Sequence, residues 1–182
     1  MRRRGSTIGS LCIAGSSTPC ENGRFDFVWC RDVVEQVDDL PEALGEVVRV
    51  MKPAARLLVY TTVATELLDD RDAAMMRHAL GNVERNLDAG NLEDAFQQAG
   101  LMIERKEPIG TEWREHAEER SQPVSRKLLQ LARLRRQRED VIADHGYDVY
   151  AHVEANLHWE LFQFIGKLLP VVYVLTIRGA PG

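Results

Sequence analysis

The stretch that decides the fold is Pro19-Cys20-Glu21-Asn22-Gly23-Arg24-Phe25-Asp26-Phe27-Val28-Trp29-Cys30, which continues as Arg31-Asp32-Val33-Val34-Glu35-Gln36-Val37. The Asn22-Gly23 pair favours a turn, and the aromatic and apolar run that follows it predicts a strand over residues 25–30. Polar residues come directly after this run, as expected where a buried strand reaches the rim of a sheet. The elements that follow this strand in the chain give the rest of the predicted fold.

An amphipathic helix is predicted over residues 40–51, because its apolar residues recur at the three-and-four spacing of one helix face. Asp39 can cap its first turn, with Glu42 three residues on, and Pro53 ends it. Residues 56–62 then form a nearly continuous apolar run. Such runs suit a strand covered on both faces, as in a parallel sheet flanked by helices.

The remaining chain continues this alternation of strands and helices. In chain order we predict helices at about 71–86 and 91–99, a strand over 101–109, helices at about 122–143 and 147–168, and a closing strand over 171–178. This order is that of a doubly wound α/β domain, whose ligands lie at the carboxyl ends of the strands.

Three segments, taken together and in this order, resemble the class I S-adenosylmethionine-dependent methyltransferases of the small-molecule type. Residues 19–37 are similar to the family's "P-x-x-D/N-G-x-F-D-x-V" strand with its following "E-H" turn. Residues 43–53 resemble "A-L-x-E-x-x-R-V-L-K-P-G-G", and residues 92–101 resemble the helix that ends in "A-G-F". The resemblance implies a Rossmann-like doubly wound methyltransferase sheet with a helical insertion, at about 118–168, before the last strand.

The resemblance also implies the cofactor and some of its contacts. S-adenosylmethionine is the expected cofactor, with its methionine end at Cys30 and Arg31 and further cofactor contacts at Ala14 and Gly15. For the methyl acceptor, a small molecule, the candidate contacts by position are Gln36, Trp113 and Glu115. No catalytic residue is assigned, and no metal is expected.

The chain departs from the family pattern at its beginning. The glycine-rich loop after the first strand and the acidic residue after the second are absent, and the third strand is expected at about residues 8–13. Residues 1–182 are therefore expected to form a single, N-terminally incomplete methyltransferase domain. A truncated gene model is the first explanation, ahead of a partner that supplies the missing half and of a degenerate remnant. An incomplete sheet has an unpaired edge, which favours self-association. A non-catalytic fragment that acts as an interaction module is the alternative function.

Composition excludes some classes of protein. The net charge of -5 argues against a general nucleic-acid binder, and polar residues interrupt the apolar run from 161 to 177, which argues against a membrane span. Three cysteines without a zinc spacing indicate reduced thiols and a cytoplasmic location. A basic helix after Pro123 is expected to be a solvated face, with binding of an anionic acceptor as its alternative role.

Overall fold

A computed structural model of the chain describes residues 20–179. Within this range the strands form one sheet of spatial order β1-β2-β4-β3. The strands are β1 (Phe25–Arg31), β2 (Met51–Ala64), β3 (Leu101–Pro108) and β4 (Leu168–Ile177). β1 and β2 are parallel, whereas β4 is antiparallel to both β2 and β3. The predicted Rossmann-like α/β fold is confirmed, with a mixed sheet; the strand expected at residues 8–13 lies outside the described residues.

Seven α-helices are described between these strands. They are α1 (Leu40–Val50), α2 (Asp70–Leu80), α3 (Ala89–Gln98), α4 (Glu112–Ser121), α5 (Pro123–Arg136), α6 (Arg138–His145) and α7 (Tyr147–Phe164). The insertion before the last strand contains α4 to α7 and so runs over 112–164, close to the expected 118–168. Short 3-10 helices occupy Val34–Gln36 and Glu84–Leu87.

Helix α1 forms as its sequence predicts. The side chain of Asp39 accepts a hydrogen bond from the backbone N–H of Glu42 at 3.0 Å, and Pro41 occupies the first turn. Leu40, Leu44 and Val47 are buried on one face. The helix is therefore fixed locally by its cap and globally by its apolar face.

Two predicted helices are divided. The helix expected at 71–86 ends at Gly81, whose φ of 70° is the left-handed conformation that glycine adopts without a steric penalty. The helix expected at 122–143 is interrupted at Gln137, and α5 and α6 meet there. Helix α4 was not predicted, because its sequence buries no residue and has no apolar face.

One face of the sheet is covered by α1 and α3. Leu57 and Val59 of β2 are fully buried there, in one cluster with Leu92 and Phe96 of α3. Side chains of β1 alternate, so Phe27 and Trp29 lie on the opposite face, where they are 56% and 51% exposed. The face of β1 opposite the main core is thus open in the part of the chain that the structure describes.

Helix α7 joins the insertion to the sheet. Phe162 packs with Met76 of α2 and Leu168 of β4, while Leu157 and Leu161 pack on α5. The His152 ring nitrogen Nδ1 lies 3.0 Å from the carbonyl oxygen of Ala79 in α2. These contacts hold α7 across the end of β1, and a cleft remains between them.

Candidate active site

The cleft has a volume of about 470 Å³ and lies beyond the carboxyl end of β1. The sheet side contributes Arg31, Asp32, Glu35, Gln36 and Tyr60. The helical side contributes Leu80 at the end of α2 and Asn82 after it, Trp113 and Arg114 of α4, and His152, Asn156, Trp159, Glu160 and Gln163 of α7. This is the rim at which ligands bind in open α/β sheets. Its mixture of aromatic walls and a few polar groups is typical of a small-molecule site.

A sharp turn at Asp32 forms the sheet side of the cleft. Asp32 has a φ of 50°, and its backbone N–H donates to the carbonyl oxygen of Tyr60 at 3.0 Å. The Arg31 Nε lies 3.1 Å from Asp32 Oδ2, and the Arg31 guanidinium lies over the Tyr60 ring, 5.5 Å from its centroid. The charge of Arg31 is therefore balanced by the neighbouring carboxylate.

Glu35 is the buried acid of the cleft. It is 2% exposed, and its Oε2 accepts a hydrogen bond from the Thr61 hydroxyl at 3.0 Å. Burial raises the pKa of Glu35 to about 7, the charge of Asp32 adds to the rise, and hydrogen bonds to the carboxylate oppose it. Glu35 therefore changes its protonation near neutral pH, which makes it the cleft residue best suited to exchange a proton.

Arg114 anchors the helical side through a polar chain. Its Nη2 donates to Gln163 Oε1, and Gln163 Nε2 donates to the Thr62 hydroxyl at 3.1 Å. The guanidinium also stacks on Trp113, 4.5 Å from the ring centroid. Burial lowers the pKa of Arg114, because the charged form has lost part of its hydration.

Two donor atoms at the cleft remain unused within residues 20–179. Arg114 Nε and Asn82 Nδ2 are buried and have no hydrogen-bond partner there. Buried donors are nearly always paired in folded proteins, so these two mark a place where a ligand atom can complete the site. Both atoms are hydrogen-bond donors, so the ligand atom that pairs with them has to be an acceptor.

The structure brings together three of the residues singled out by sequence position. Arg31, Gln36 and Trp113 all line the cleft. The Glu115 carboxylate instead pairs with the Thr111 hydroxyl on the exposed side of α4, so the expectation that it contacts an acceptor gains no support. Ala14 and Gly15 lie outside the described residues.

Cys30 is on β1 but its side chain lies away from the cleft. It lines a separate apolar pocket with Val34 and Leu40. Burial, aided by the charges of Glu35 and Asp32, raises the pKa of the Cys30 thiol to about 11, which keeps it protonated and unreactive. A cofactor contact at this position would involve the backbone.

Several residues of the cleft were not predicted from the sequence as site residues. Glu35 stands beside Gln36 in the family-like turn, so the signal for it was present. Arg114 was named only as part of a charged segment, and Asn82 follows an ordinary helix end. Neither has a local pattern that indicates a site, because the fold alone brings them together.

The basic residues of α5 are largely engaged with neighbouring groups. Lys127 pairs with Glu160, and Arg135 pairs with Glu154. The Arg126 guanidinium bonds to the carbonyl oxygens of Ser121 and Gln122. This pairing supports the solvated-face interpretation over an anion-binding cap.

Neither a metal cluster nor a membrane helix is found in the described part of the chain. No three side chains of His, Cys, Asp or Glu within residues 20–179 are grouped so as to hold a metal ion. No helix in that range is both long and apolar enough to cross a bilayer.

Known proteins resemble this chain in sequence and in fold. The family described as "Methyltransferase domain" matches residues 2–59. A malonyl-[acyl-carrier protein] O-methyltransferase of Methylovorus sp. (strain MP688) is 29% identical over 93 residues, which are 50% of this chain and 31% of that protein.

Two solved structures share the fold at low sequence identity. The [4+2]-cyclase SpnF has a TM-score of 0.61 and 19% identity, over 92% of this chain and 55% of SpnF. The cyclopropane synthase MmaA2 of Mycobacterium tuberculosis has a TM-score of 0.57 and 14% identity, over 85% of this chain and 56% of MmaA2. The chain therefore spans less than two thirds of each of these relatives.

The mixed sheet, with its antiparallel last strand and a cleft at the end of β1, defines a Rossmann-like α/β protein. Its sequence is similar to the class I S-adenosylmethionine-dependent methyltransferases of the small-molecule type. The resemblance that residues 19–37 carry is thereby confirmed.

Proposed function

We propose that this chain takes part in methyl transfer from S-adenosylmethionine to a small-molecule acceptor, with the acceptor bound in the cleft beyond β1. The observation that carries the proposal is the meeting of Arg31, Gln36 and Trp113 in one cleft of about 470 Å³. Two of these residues belong to the family-like turn after β1, and the third comes from the insertion. The site thus combines the expected cofactor rim with a cover built from α4 and α7.

The cofactor side fits the methionine end of S-adenosylmethionine in its polar groups. Arg31 and the turn at Asp32 present one cation, one anion and backbone groups at the strand end, which match the carboxylate and ammonium of an amino acid. The cofactor supplies an electrophilic methyl group on a sulfonium. The residues of the chain then have to align the acceptor and exclude water from it.

Proton transfer from the acceptor, where the acceptor needs it, is assigned to Glu35. Its carboxylate is hydrogen-bonded to Thr61 and has a pKa of about 7, so it can receive a proton near neutral pH. Gln36 has no such capacity, because an amide does not titrate in this range. Gln36 and Trp113 are assigned to acceptor contact.

A radiolabel assay tests the proposed function. The 182-residue chain is incubated with S-adenosylmethionine labelled on the methyl group and with a panel of small acceptors, and transfer of label is measured together with release of S-adenosylhomocysteine. Both products are expected from one or more acceptors. A folded sample that releases neither with any acceptor would contradict catalysis by this chain.

A matched pair of variants locates the cofactor. Arg31→Ala is expected to weaken binding of S-adenosylhomocysteine by about tenfold, which is typical for loss of a hydrogen bond to a charged group. Arg24→Ala is the control, because Arg24 precedes β1 and forms a salt bridge with the exposed Glu21, away from the cleft. Equal affinities of the two variants would remove Arg31 from the cofactor site.

Self-association is the second candidate role, and one observation favours it. Phe27 and Trp29 are exposed on the open face of β1, and β1 pairs with β2 alone among residues 20–179. A second copy of the chain is the proposed partner, since exposed strands and apolar patches promote such pairing. Light scattering during size-exclusion chromatography should show a dimer that Trp29→Ser weakens; a monomer at all concentrations would contradict this role.

A further inference from the structure

The helical side of the cleft has hydrogen-bonding capacity that nothing in the described chain uses. Arg114 Nε and Asn82 Nδ2 are both buried without a partner, and Asn82 is only 4% exposed. Asn82 follows α2 and Arg114 belongs to α4, so the two donors reach the cleft from different elements. Both residues line the same cleft, so their two unpartnered donors indicate a ligand that accepts hydrogen bonds.

The charges around the cleft indicate that this ligand is an anion. Arg31 is paired with Asp32, and Lys127 with Glu160, whereas Arg114 makes no salt bridge to any residue in the range 20–179. The Arg114 guanidinium contacts the neutral Gln163, the Trp113 ring and the Tyr60 hydroxyl, and the nearby Glu160 carboxylate is already in a salt bridge with Lys127. A partly buried guanidinium without a salt bridge of its own is costly, and a bound anion would neutralise it.

A single negative charge fits better than two. One cation lacks a partner, and the cleft also holds the acidic side chains of Asp32, Glu35 and Glu160. A phosphate dianion would leave one charge unbalanced and would be repelled by these residues. A carboxylate matches the charge, and its two oxygens can accept from two separate donors.

We propose that the cleft recognises an acceptor that carries a carboxylate, held by Arg114 Nε and Asn82 Nδ2. The inference rests on the proposed function only in naming the ligand as the methyl acceptor. The carboxylate is an anchor rather than the methylated group, because hydrogen bonds from a guanidinium withdraw electron density from its oxygens. Leu80, Trp113 and Trp159 line the same cleft and supply apolar walls for the rest of an aromatic or aliphatic acid.

A carboxylate could also come from the methionine end of S-adenosylmethionine, and position distinguishes the two sources. The family resemblance assigns the methionine end to Arg31 at the end of β1. Arg114 and Asn82 belong to α4 and to the loop after α2, on the helical side of the cleft. Arg114→Gln should therefore affect the acceptor and leave S-adenosylhomocysteine binding unchanged.

The test is a calorimetric titration of the full 182-residue chain with phenylacetate, phenylacetamide and benzylphosphonate. Phenylacetate is expected to bind the wild-type chain roughly 10- to 100-fold more tightly than the neutral amide, as hydrogen bonds to a charged group imply. Arg114→Gln should remove most of this preference. Arg120→Gln is the matched control, since Arg120 is an exposed cation on the same helix whose guanidinium lies 3.4 Å from the His116 ring and does not line the cleft.

A second variant keeps the test decisive if Arg114→Gln does not fold. Asn82→Leu removes the donor at nearly constant volume, and we expect phenylacetate binding to weaken by about 3- to 10-fold. Circular dichroism of each variant establishes that the sample is folded. Unchanged phenylacetate affinity in folded Asn82→Leu and Arg114→Gln would overturn the proposal.

Other outcomes contradict it in distinguishable ways. Equal affinity for acid and amide means that the cleft does not select an anion, and tighter benzylphosphonate binding means a phosphate site. Loss of S-adenosylhomocysteine binding alone in Arg114→Gln assigns the anion to the cofactor. Arginine-dependent phenylacetate binding without any S-adenosylhomocysteine binding would support the carboxylate site and contradict the proposed methyl transfer.

Discussion

The helices of the sheet region and those of the helical insertion differ in how their first turns are capped. Helices α1, α2 and α3 each begin at an aspartate whose side chain accepts a backbone N–H, namely Asp39, Asp69 and Asp88. Helices α4, α6 and α7 have no such side-chain cap, and the first turn of α5 donates instead to the Glu118 carboxylate of α4. The helices next to the strands are thus capped by the residue that precedes each of them, whereas the insertion depends more on contacts between its helices.

The sheet region also has a larger hydrophobic core than the insertion. The sheet region has one continuous buried cluster from α1 through β2 and α3 to β4. The insertion has a small cluster between α5 and α7, and α4 and α6 bury no residue. A continuous core makes a rigid scaffold, and a sparsely packed cover can vary with the ligand. The cleft lies at the boundary between the two regions, with the proposed cofactor rim on the scaffold and the unpaired donors of Arg114 and Asn82 on the helical side.

Core truncation should give the largest difference between the regions. Leu57→Ala in the centre of β2 removes a fully buried side chain and is expected to lower the free energy of unfolding by about 3–5 kcal/mol. Leu131→Ala in α5 removes the same atoms from a small cluster at the edge, and about 1–2 kcal/mol is expected because that site can relax or admit water. Urea unfolding curves measure both values. Equal losses would contradict the distinction between scaffold and cover.

The pH dependence of the free energy of unfolding tests Glu35, which lies at the cleft between the sheet region and the insertion. Its pKa is about 7 in the folded chain against an ordinary value of 4.5, so the folded state binds the proton more tightly than the unfolded state. Stability should therefore decline as the pH rises from about 4.5 to 7, by an amount on the order of 2–3 kcal/mol. Glu35→Gln should flatten this part of the profile, because glutamine does not titrate and can still pair with Thr61. An unchanged profile would show that Glu35 is not the group responsible.

The helix caps give a smaller effect. Asp39→Ala should lower the free energy of unfolding by about 1 kcal/mol, since the Glu42 N–H loses its side-chain partner. Gln137→Ala is the control in the insertion, because Gln137 precedes α6 without a side-chain cap bond, and a change within about 0.5 kcal/mol is expected. Thermal unfolding monitored by circular dichroism resolves the two. A larger loss of stability in Gln137→Ala than in Asp39→Ala would contradict the difference in capping between the two regions.

The fold was predictable where local signals were strong. The strand Phe25–Arg31 and helix α1 follow from an aromatic run, the Asp39 cap and an apolar stripe. The divisions at Gly81 and Gln137 and the existence of α4 were missed. Charged residues dominate α4, so the periodicity that predicts helices is absent from it.

The candidate site was predictable only in part. Arg31 and Gln36 follow a strand end, and Trp113 follows β3, so position alone brought them to the rim. Glu115 does not line the cleft, because residues two apart on a helix do not face the same way and Trp113 occupies the cleft side; its role in acceptor contact stays a prediction. Arg114 and Asn82 were not predicted, because they differ from other residues only in having a buried donor atom without a hydrogen-bond partner. The sequence does not show this; the three-dimensional contacts do.

The measurement that tests the account most directly is a titration of S-adenosylhomocysteine followed through the tryptophan indole N–H signals of a ¹⁵N-labelled sample. The chain has three tryptophans. Trp113 and Trp159 line the cleft, and Trp29 lies exposed on β1. We expect saturable shifts of the Trp113 and Trp159 signals, whereas the Trp29 signal should stay in place. A folded sample whose cleft indoles do not respond, or respond less than Trp29, would contradict the assignment of methyl transfer to this cleft.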